Sequence, residues 1–322
     1  MTTVDSGVLA RCVEAATLAP SLHNSQPWRF RITGRAVEVY ADPSRRLDAL
    51  DASGRELLIS VGAALFTLRL AMRYEGWEPT YVLFPEPGSP ELVARVEPAR
   101  RATPSETVTA LAAAIPQRHT NRWPFAAAVV PADAIEELTQ AATDEDTTLT
   151  IAGAVSRDAI LGLGQAAERR LRADGGYRAE LGRWTRPAHG RHDGVPPTAV
   201  GPWDALERLP IRDFGLMHAQ PWRTSERFEA YPTIAVLATH GDGPPQWVLA
   251  GQALQHVLLV ATRLGLATTP ISQPVEIPEI RRLLTNTTAG RWAQMIIRLG
   301  YGPPAATTPR RPLAEVLRDE SR

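Results

Sequence analysis

Two short stretches concentrate side chains suited to binding rather than to filling a core. "PSLHNSQP" (20–27) places Ser21, His23, Asn24, Ser25 and Gln26 between a helical run and a strand-like pattern, with no formal charge among them. Such amides, hydroxyls, imidazole and open backbone N–H groups both donate and accept, which suits a flat heteroaromatic edge such as a flavin pyrimidine ring. The same residue types also build Asx- and ST-type turns that satisfy only their own backbone. "RHTNRWPF" (118–125) sets Arg118, Thr120 and Arg122 at alternate positions, which share one face of an extended chain. Two guanidinium forks flanking a hydroxyl suit a phosphate dianion, and the same pattern also occurs on solvated sheet edges. Arg310 and Arg311 precede Pro312 and either add charge to that place or solubilise the tail.

Composition narrows the chemistry. All 35 basic residues are arginine, balanced by 35 acidic ones, so no global field attracts nucleic acid or an anionic membrane. Without lysine, neither Schiff-base chemistry nor a Walker A phosphate loop is available. The single cysteine, Cys12, falls in an apolar helical pattern and reads as a small buried hydrophobe; one cysteine fits a reducing cytoplasm. Neither a secretion signal nor a transmembrane run is expected from the pattern. "LGLGQAAE" (161–168) matches a dinucleotide fingerprint only in letters, because it lies within a helical period. "HGRH" (189–192) lacks a third ligand and is not read as a metal site. No G-x-S-x-G elbow is present, so hydrolase chemistry has no anchor, and no side chain stands out as an acid/base catalyst.

Hydrophobic periodicity supplies the elements that must position these residues. Helices are expected over 6–19, 53–75, 106–116, 131–142, 156–173 and 246–264, a hairpin over 28–42 about Gly34, and strands near 77–85, 147–152, 231–239 and 292–302. The stretch from 86 to about 106 reads as a connector, "TTPISQP" (268–274) as a short loop, and 174–228 as a long irregular excursion of the lid or binding-loop kind. "GAALFTLRLAMRYEG" (62–76) and "GQALQHVLLVATRLG" (251–265) align at a constant offset of 189, matching Gly62 to Gly251 and Gly76 to Gly265. Two buried helices can agree by chance; a duplicated α+β unit accounts for the order of the flanking elements as well. The copies are unequal, since only the first carries the polar 20–27 cluster and only the second is preceded by "RHTNRWPF".

Four segments, in order, resemble the nitroreductase-like flavoproteins: "APSLHNSQPWRF" their A-P-S-x-x-N-x-Q-P-W, "RHTNRWPF" their R-x-S-x-R-x-F, "GLATTPISQ" their GL-x-x-x-PI-x-G, and "RLGYG…PRRPL" their closing strand and basic tail. The resemblance is strongest to the Acg-type branch. It implies an α+β nitroreductase-like fold in which two subunits are fused into a pseudo-dimer: an N-terminal half (1–105) and a C-terminal half (106–322) with a lid at about 174–228. One composite FMN site would be kept and its twin lost. Carried over by position, Arg118, Thr120, Arg122 and Arg311 (or Arg310) would hold the phosphate. Ser21, Leu22, His23, Asn24 and Gln26 would line the ring, and Ile271, Ser272 and Gln273 would offer a backbone N–H to flavin N5. Gln273 stands where the family pattern has Gly. Trp184, Trp203 and Trp222 are candidates to cover the ring.

The resemblance further implies an FMN-dependent oxidoreductase, reduced by NAD(P)H and reoxidised by a quinone, nitroaromatic or unsaturated acceptor. Two alternatives stay open: an FMN-sequestering protein whose lid blocks turnover, and a tailoring dehydrogenase or oxidase. A cytoplasmic, monomeric pseudo-dimer is expected, with further association left open. On this reading Asn24→Ala should disturb the flavin and Asn121→Ala should do little.

Overall fold

The computed structural model describes residues 4–186, 190–218, 220–286 and 289–320. The chain opens with α1 (Ser6–Ala16), the hairpin β1 (Trp28–Thr33) and β2 (Ala36–Ala41), α2 (Arg55–Tyr74), β3 (Trp77–Leu83) and β4 (Leu92–Arg101). It continues with α3 (Glu106–Ala114), α4 (Ala132–Thr143), β5 (Thr147–Ile151), α5 (Ala154–Ala173), α6 (Gly175–Thr185), and the two-residue strands β6 (Trp203–Asp204) and β7 (Ser225–Glu226). It closes with β8 (Thr233–His240), α7 (Pro244–Arg263), β9 (Ala267–Ile271), α8 (Gln273–Glu276), α9 (Pro278–Leu284), β10 (Arg291–Gly300), α10 (Leu313–Val316) and β11 (Leu317–Asp319).

Two main sheets result, ordered β11-β1-β2-β4-β3 and β5-β8-β10-β9, and β6 pairs parallel to β7 as a separate two-stranded sheet. The apolar faces of α1 and α2 close over the first sheet through Leu9, Val13, Leu65, Leu68, Phe30 and Val39. The second core joins α7 to α3, α4 and the second sheet through Leu254, Leu258, Leu138, Leu237 and Ile297. α2 and α7 press against each other where both carry glycine. A Cβ on Gly62 would stand 2.2 Å from the Val248 carbonyl oxygen, and one on Gly251 would stand 2.0 Å from that of Ile59. The two contacts are reciprocal under the 189-residue offset, which takes Ile59 to Val248 as it takes Gly62 to Gly251. Both helices run into a left-handed glycine, Gly76 (φ 82°) and Gly265 (φ 72°), the usual helix stop. By length and composition α2 could cross a membrane, but it is buried within this fold.

Several expectations need correction. The connector before residue 106 contains β4, which pairs with both β2 and β3. Its sequence, LVARVEPARR, hides the strand because charge pairs stand in for apolar alternation: Glu38 on β2 accepts from Arg95 of β4 and Arg31 of β1. The supposed loop 268–274 contains most of β9, paired with β10. The excursion 174–228 is not irregular throughout; α6 and nearby segments bury Tyr177, Leu181, Trp184, Val195 and Phe214 in a core shared with Leu47, Leu50, Ala167, Leu171 and Ile277. The tail returns to the first sheet, where β11 pairs parallel to β1. Within "HGRH", His189 lies outside the described residues, and among the described residues no cluster of three metal-binding side chains occurs.

Candidate active site

The polar cluster after α1 forms a knot rather than a simple turn. His23, Asn24 and Gln26 all adopt positive φ (50°, 54° and 50°), a conformation uncommon for non-glycine residues and one that clusters at functional sites. Local bonds hold it: Leu22 N–H donates to Ser60 Oγ of α2 (3.2 Å), and Gln26 N–H donates to Ser21 Oγ (2.9 Å). Asn24 Nδ2 donates to the carbonyls of Gly194 (2.9 Å) and Pro309 (3.0 Å), while its Oδ1 accepts from Arg310 (3.2 Å). Gln26 Nε2 donates to the His192 carbonyl and its Oε1 accepts from Arg311 N–H, both at 2.8 Å. The uncharged amides thus tie the excursion and the tail to the end of the first helix.

Around this knot lies a cavity of about 730 Å³ including its mouth. Ser21, Leu22 and His23 line one wall, Ile271, Ser272 and Gln273 another, and Thr120 and Arg122 one end. A smaller pocket joins it through Pro20, Ser21, His23, Thr120 and Arg122, and adds Asn24, Arg118 and Arg310. Residues distant in sequence, from 20–24, 118–122, 271–273 and Arg310, thus line two joined pockets. Two residues do not take the expected place. Gln26 lines neither pocket, being fully buried with its amide used by the excursion and tail. Arg311 turns away, its guanidinium donating to the carbonyls of Gln26 (3.3 Å) and Glu315 (3.1 Å), so Arg310 is the tail arginine in the pocket.

The electrostatics of the small pocket are unbalanced. Buried arginines elsewhere meet carboxylates: Arg69 with Glu145, Arg212 with Glu276, Arg298 with Glu229. Among the described residues, Arg118, Arg122 and Arg310 pair with none. Arg118 Nη2 and Arg310 Nη2 both lean on the Leu18 carbonyl, at 3.4 and 3.3 Å, and the Nε atoms of both arginines are buried without a partner. Burial lowers the pKa of all three, aided by Arg310 beside Arg118 and by Arg212 beside Arg122. Being arginines, they remain charged at neutral pH. Three cations gathered without counter-charge are expensive unless an anion joins them.

At the junction of the two pockets, both ring nitrogens of His23 are buried and unpartnered. Burial, with Arg212 and Arg122 nearby, drives its pKa well below the ordinary value, so the imidazole is neutral. The edge of Phe214 meets the His23 ring at 5.1 Å, and Arg122 stacks on Phe214 at 4.6 Å while donating to the Ala199 carbonyl (2.8 Å). Pro210, Ile211, Arg212 and Phe214 are the excursion residues that line the cavity. Trp184 is buried in the core that the excursion shares with Leu47, Leu50 and Leu171, and Trp203 and Trp222 are exposed (41% and 68%), so none of the three tryptophans lines the cavity.

Sequence reading also missed Glu56 and Ser60 on α2; an Arg-Glu pair opening an otherwise apolar helix was the available signal. Asn121 is likewise more than a bystander. It is buried, donates through Nδ2 to the Pro303 carbonyl (2.6 Å), and accepts from Trp123 N–H (3.0 Å). Asn121→Ala is expected to destabilise the fold by about 1–3 kcal/mol through the partners it orphans, measurable by chemical denaturation.

The arrangement suits a ligand with an anionic end, gripped by guanidiniums and a hydroxyl, and a flat body in a partly apolar slot. No family model matches the chain. Curated relatives do. "Putative NAD(P)H nitroreductase acg" of Mycobacterium tuberculosis is 32% identical over 328 residues, covering 98% of this chain and 97% of that protein. A second "Putative NAD(P)H nitroreductase" of the same organism is 33% identical, covering 97% of this chain and 92% of the relative. A third, described as an uncharacterized protein, is 35% identical over 96% of this chain and 92% of its own length. Among solved structures, a "putative nitroreductase" from Anabaena variabilis shares the fold over 94% of this chain and 90% of that one, with a TM-score of 0.54 at 10% identity. At full length and one-third identity, the chain belongs to the nitroreductase-like family, in the branch that includes the Acg protein.

Proposed function

We propose that this chain binds one FMN at a single composite site and passes electrons from NAD(P)H to a small acceptor such as a quinone, a nitroaromatic or an activated alkene. The observation that carries the reading is the trio of guanidiniums without carboxylates beside a cavity with orphaned polar atoms. A phosphate dianion satisfies that trio, with Arg118, Arg310 and Arg122 as forks and Thr120 as a hydroxyl donor. Ser21–His23 and Ile271–Gln273, which line the cavity, would hold the ring. When bound, FMN would supply the two-electron chemistry that links a reduced nicotinamide to an acceptor. The chain's own residues orient and enclose. His23 remains neutral beside the ring, and Ile211, Arg212 and Phe214 limit water over the slot.

The single site follows from two unequal copies, an N-terminal half (1–105) and a C-terminal half (106–322). The reciprocal Gly62–Gly251 contact supports that duplication. The 189-residue offset takes Ala63 and Pro270, which line the cavity, to Gln252 and Tyr81. There Gln252 Nε2 reaches Tyr81 Oη (3.5 Å), Arg69 donates to Gln252 Oε1 (2.6 Å) and to Glu145 (2.7 Å), and Arg69 stacks on Tyr81 at 4.5 Å. A buried ion pair and its neighbours fill the twin position, leaving no slot for a second ring.

A sequestering role is the second reading, favoured by the Arg212–Glu276 pair that pins the excursion over the cavity. Anaerobic mixing of the yellow protein with NADH or NADPH separates the two. The oxidoreductase reading expects the flavin absorbance near 450 nm to bleach with at least one donor; colour that persists with both leaves FMN storage.

A further inference from the structure

Glu56 stands on the wall between two cavities. It lines the main cavity, and it also lines an adjoining cleft of about 1060 Å³ including its mouth, together with Asp51, Asp242, Glu276 and Arg281. The residue is 3% exposed, with its carboxylate bonded to the Arg55 guanidinium. Arg55 in turn is fixed by the carbonyls of Gln294 (2.8 Å) and Val275 (3.1 Å), so it braces the carboxylate in place. Other charged groups face Glu56 from every side: Asp51 before α2, Glu276 on α8, Arg212 from the excursion, and Arg281 on α9. Burial pushes its pKa up to about 7, the cations Arg55 and Arg212 opposing and the carboxylates Glu276 and Asp51 adding to the rise. Near neutrality it is therefore populated both with and without its proton, unlike an ordinary surface glutamate.

Resting on the oxidoreductase reading above, we propose that Glu56 is a proton relay, handing a proton to the reduced acceptor in the covered cavity and taking a replacement from the cleft lined by Asp51 and Glu276. The balance is simple. An acceptor such as a quinone that gains a hydride, one proton and two electrons, from the reduced cofactor becomes an anion one proton short of the hydroquinone. The Glu56 O–H bond breaks, its proton joins the acceptor oxygen, and the carboxylate left behind is reprotonated by cleft water. The device matters because the excursion limits water on the cavity side, so protons enter through a different face from substrates.

The experiment compares the FMN-loaded wild type with Glu56→Gln, which keeps the side chain's shape and loses its acid. The relay predicts that reoxidation by a benzoquinone, followed as the return of flavin absorbance, slows as pH rises through about 7 in the wild type. In Glu56→Gln it should be on the order of 100-fold slower and independent of pH, each rate being taken per bound FMN. Glu56→Asp should restore part of the rate. Infrared difference spectra of the cofactor-free wild type should show a carboxylic acid band that titrates away near pH 7 and is missing from Glu56→Gln. An unaltered reoxidation rate and pH profile in Glu56→Gln overturns the relay while sparing the function. Absence of a carboxylic acid titrating near neutrality in the wild type overturns it too, even if the glutamine variant fails to fold. A protein that neither takes up FMN nor is bleached by NAD(P)H removes the function reading first, and the relay with it.

Discussion

Arg118→Ala/Arg122→Ala protein is expected to purify colourless and folded. Each arginine offers a charge-assisted contact of roughly 1.5–3 kcal/mol to a phosphate. Losing both should weaken FMN binding by about 10²- to 10⁴-fold, measured by fluorescence titration of free FMN. Without ligand the sign reverses. Arg118 is buried beside Arg310 with no carboxylate, so it burdens the empty protein rather than supporting it. The cofactor-free double variant should therefore melt no lower than the cofactor-free wild type, whereas FMN should raise the melting temperature of the wild type alone. A damaged core would lower both melting temperatures. FMN content equal to the wild type's would contradict the phosphate assignment.

Gly251→Ala is expected to be the most damaging single methyl in the protein. Its Cβ would lie 2.0 Å from the Ile59 carbonyl oxygen and 2.9 Å from the Gly62 Cα, backbone atoms that cannot move aside alone. The two central helices must separate, and overpacking of this kind costs about 3 kcal/mol or more. On the order of 5–10 °C of melting temperature should be lost. Gly62→Ala should cost a similar amount, and the double variant less than the sum, because one contact is broken twice. Gly162→Ala is the control. It sits exposed in α5 with nothing within 4 Å of a new Cβ, so alanine should be neutral or stabilising there. Equal melting curves for Gly251→Ala and the wild type would refute the close crossing.

The periodic elements were legible from local chemistry. α2 and α7 announce themselves by apolar spacing and a terminal glycine, and β1–β2 by alternation about Gly34. β4 was not, because Arg95 and Glu38 satisfy each other across strands, and nothing local in LVARVEPARR reveals that pairing. The site divides along the same line. Ser21, His23, Thr120 and Ile271 reach the cavity from compact motifs whose geometry is set within a few residues. Gln26 and Arg311 belong to equally recognisable motifs, yet Gln26 serves the distant His192 carbonyl and Arg311 divides its guanidinium between the distant Gln26 carbonyl and Glu315, and the distant partners are specified by no motif. Arg212, Phe214 and Glu56 have no motif; they matter because tertiary packing brings a long excursion and a helix start to the same hole.

This division also explains how the uncharged amides of residues 20–26 complement the arginines. Asn24 accepts from Arg310 and donates to the backbone on either side, so the knot fixes a cation while adding no anion to neutralise it. An aspartate there would neutralise Arg310 but would face the Gly194 and Pro309 carbonyls with no proton to donate.

One mononucleotide should be held jointly by the polar knot from the early part of the chain and the guanidiniums from the later part. Native mass spectrometry of the full chain after saturation with FMN tests it most directly. A single species at the chain mass plus one FMN is the expected result. A species carrying two, or a chain that takes up none, would contradict it.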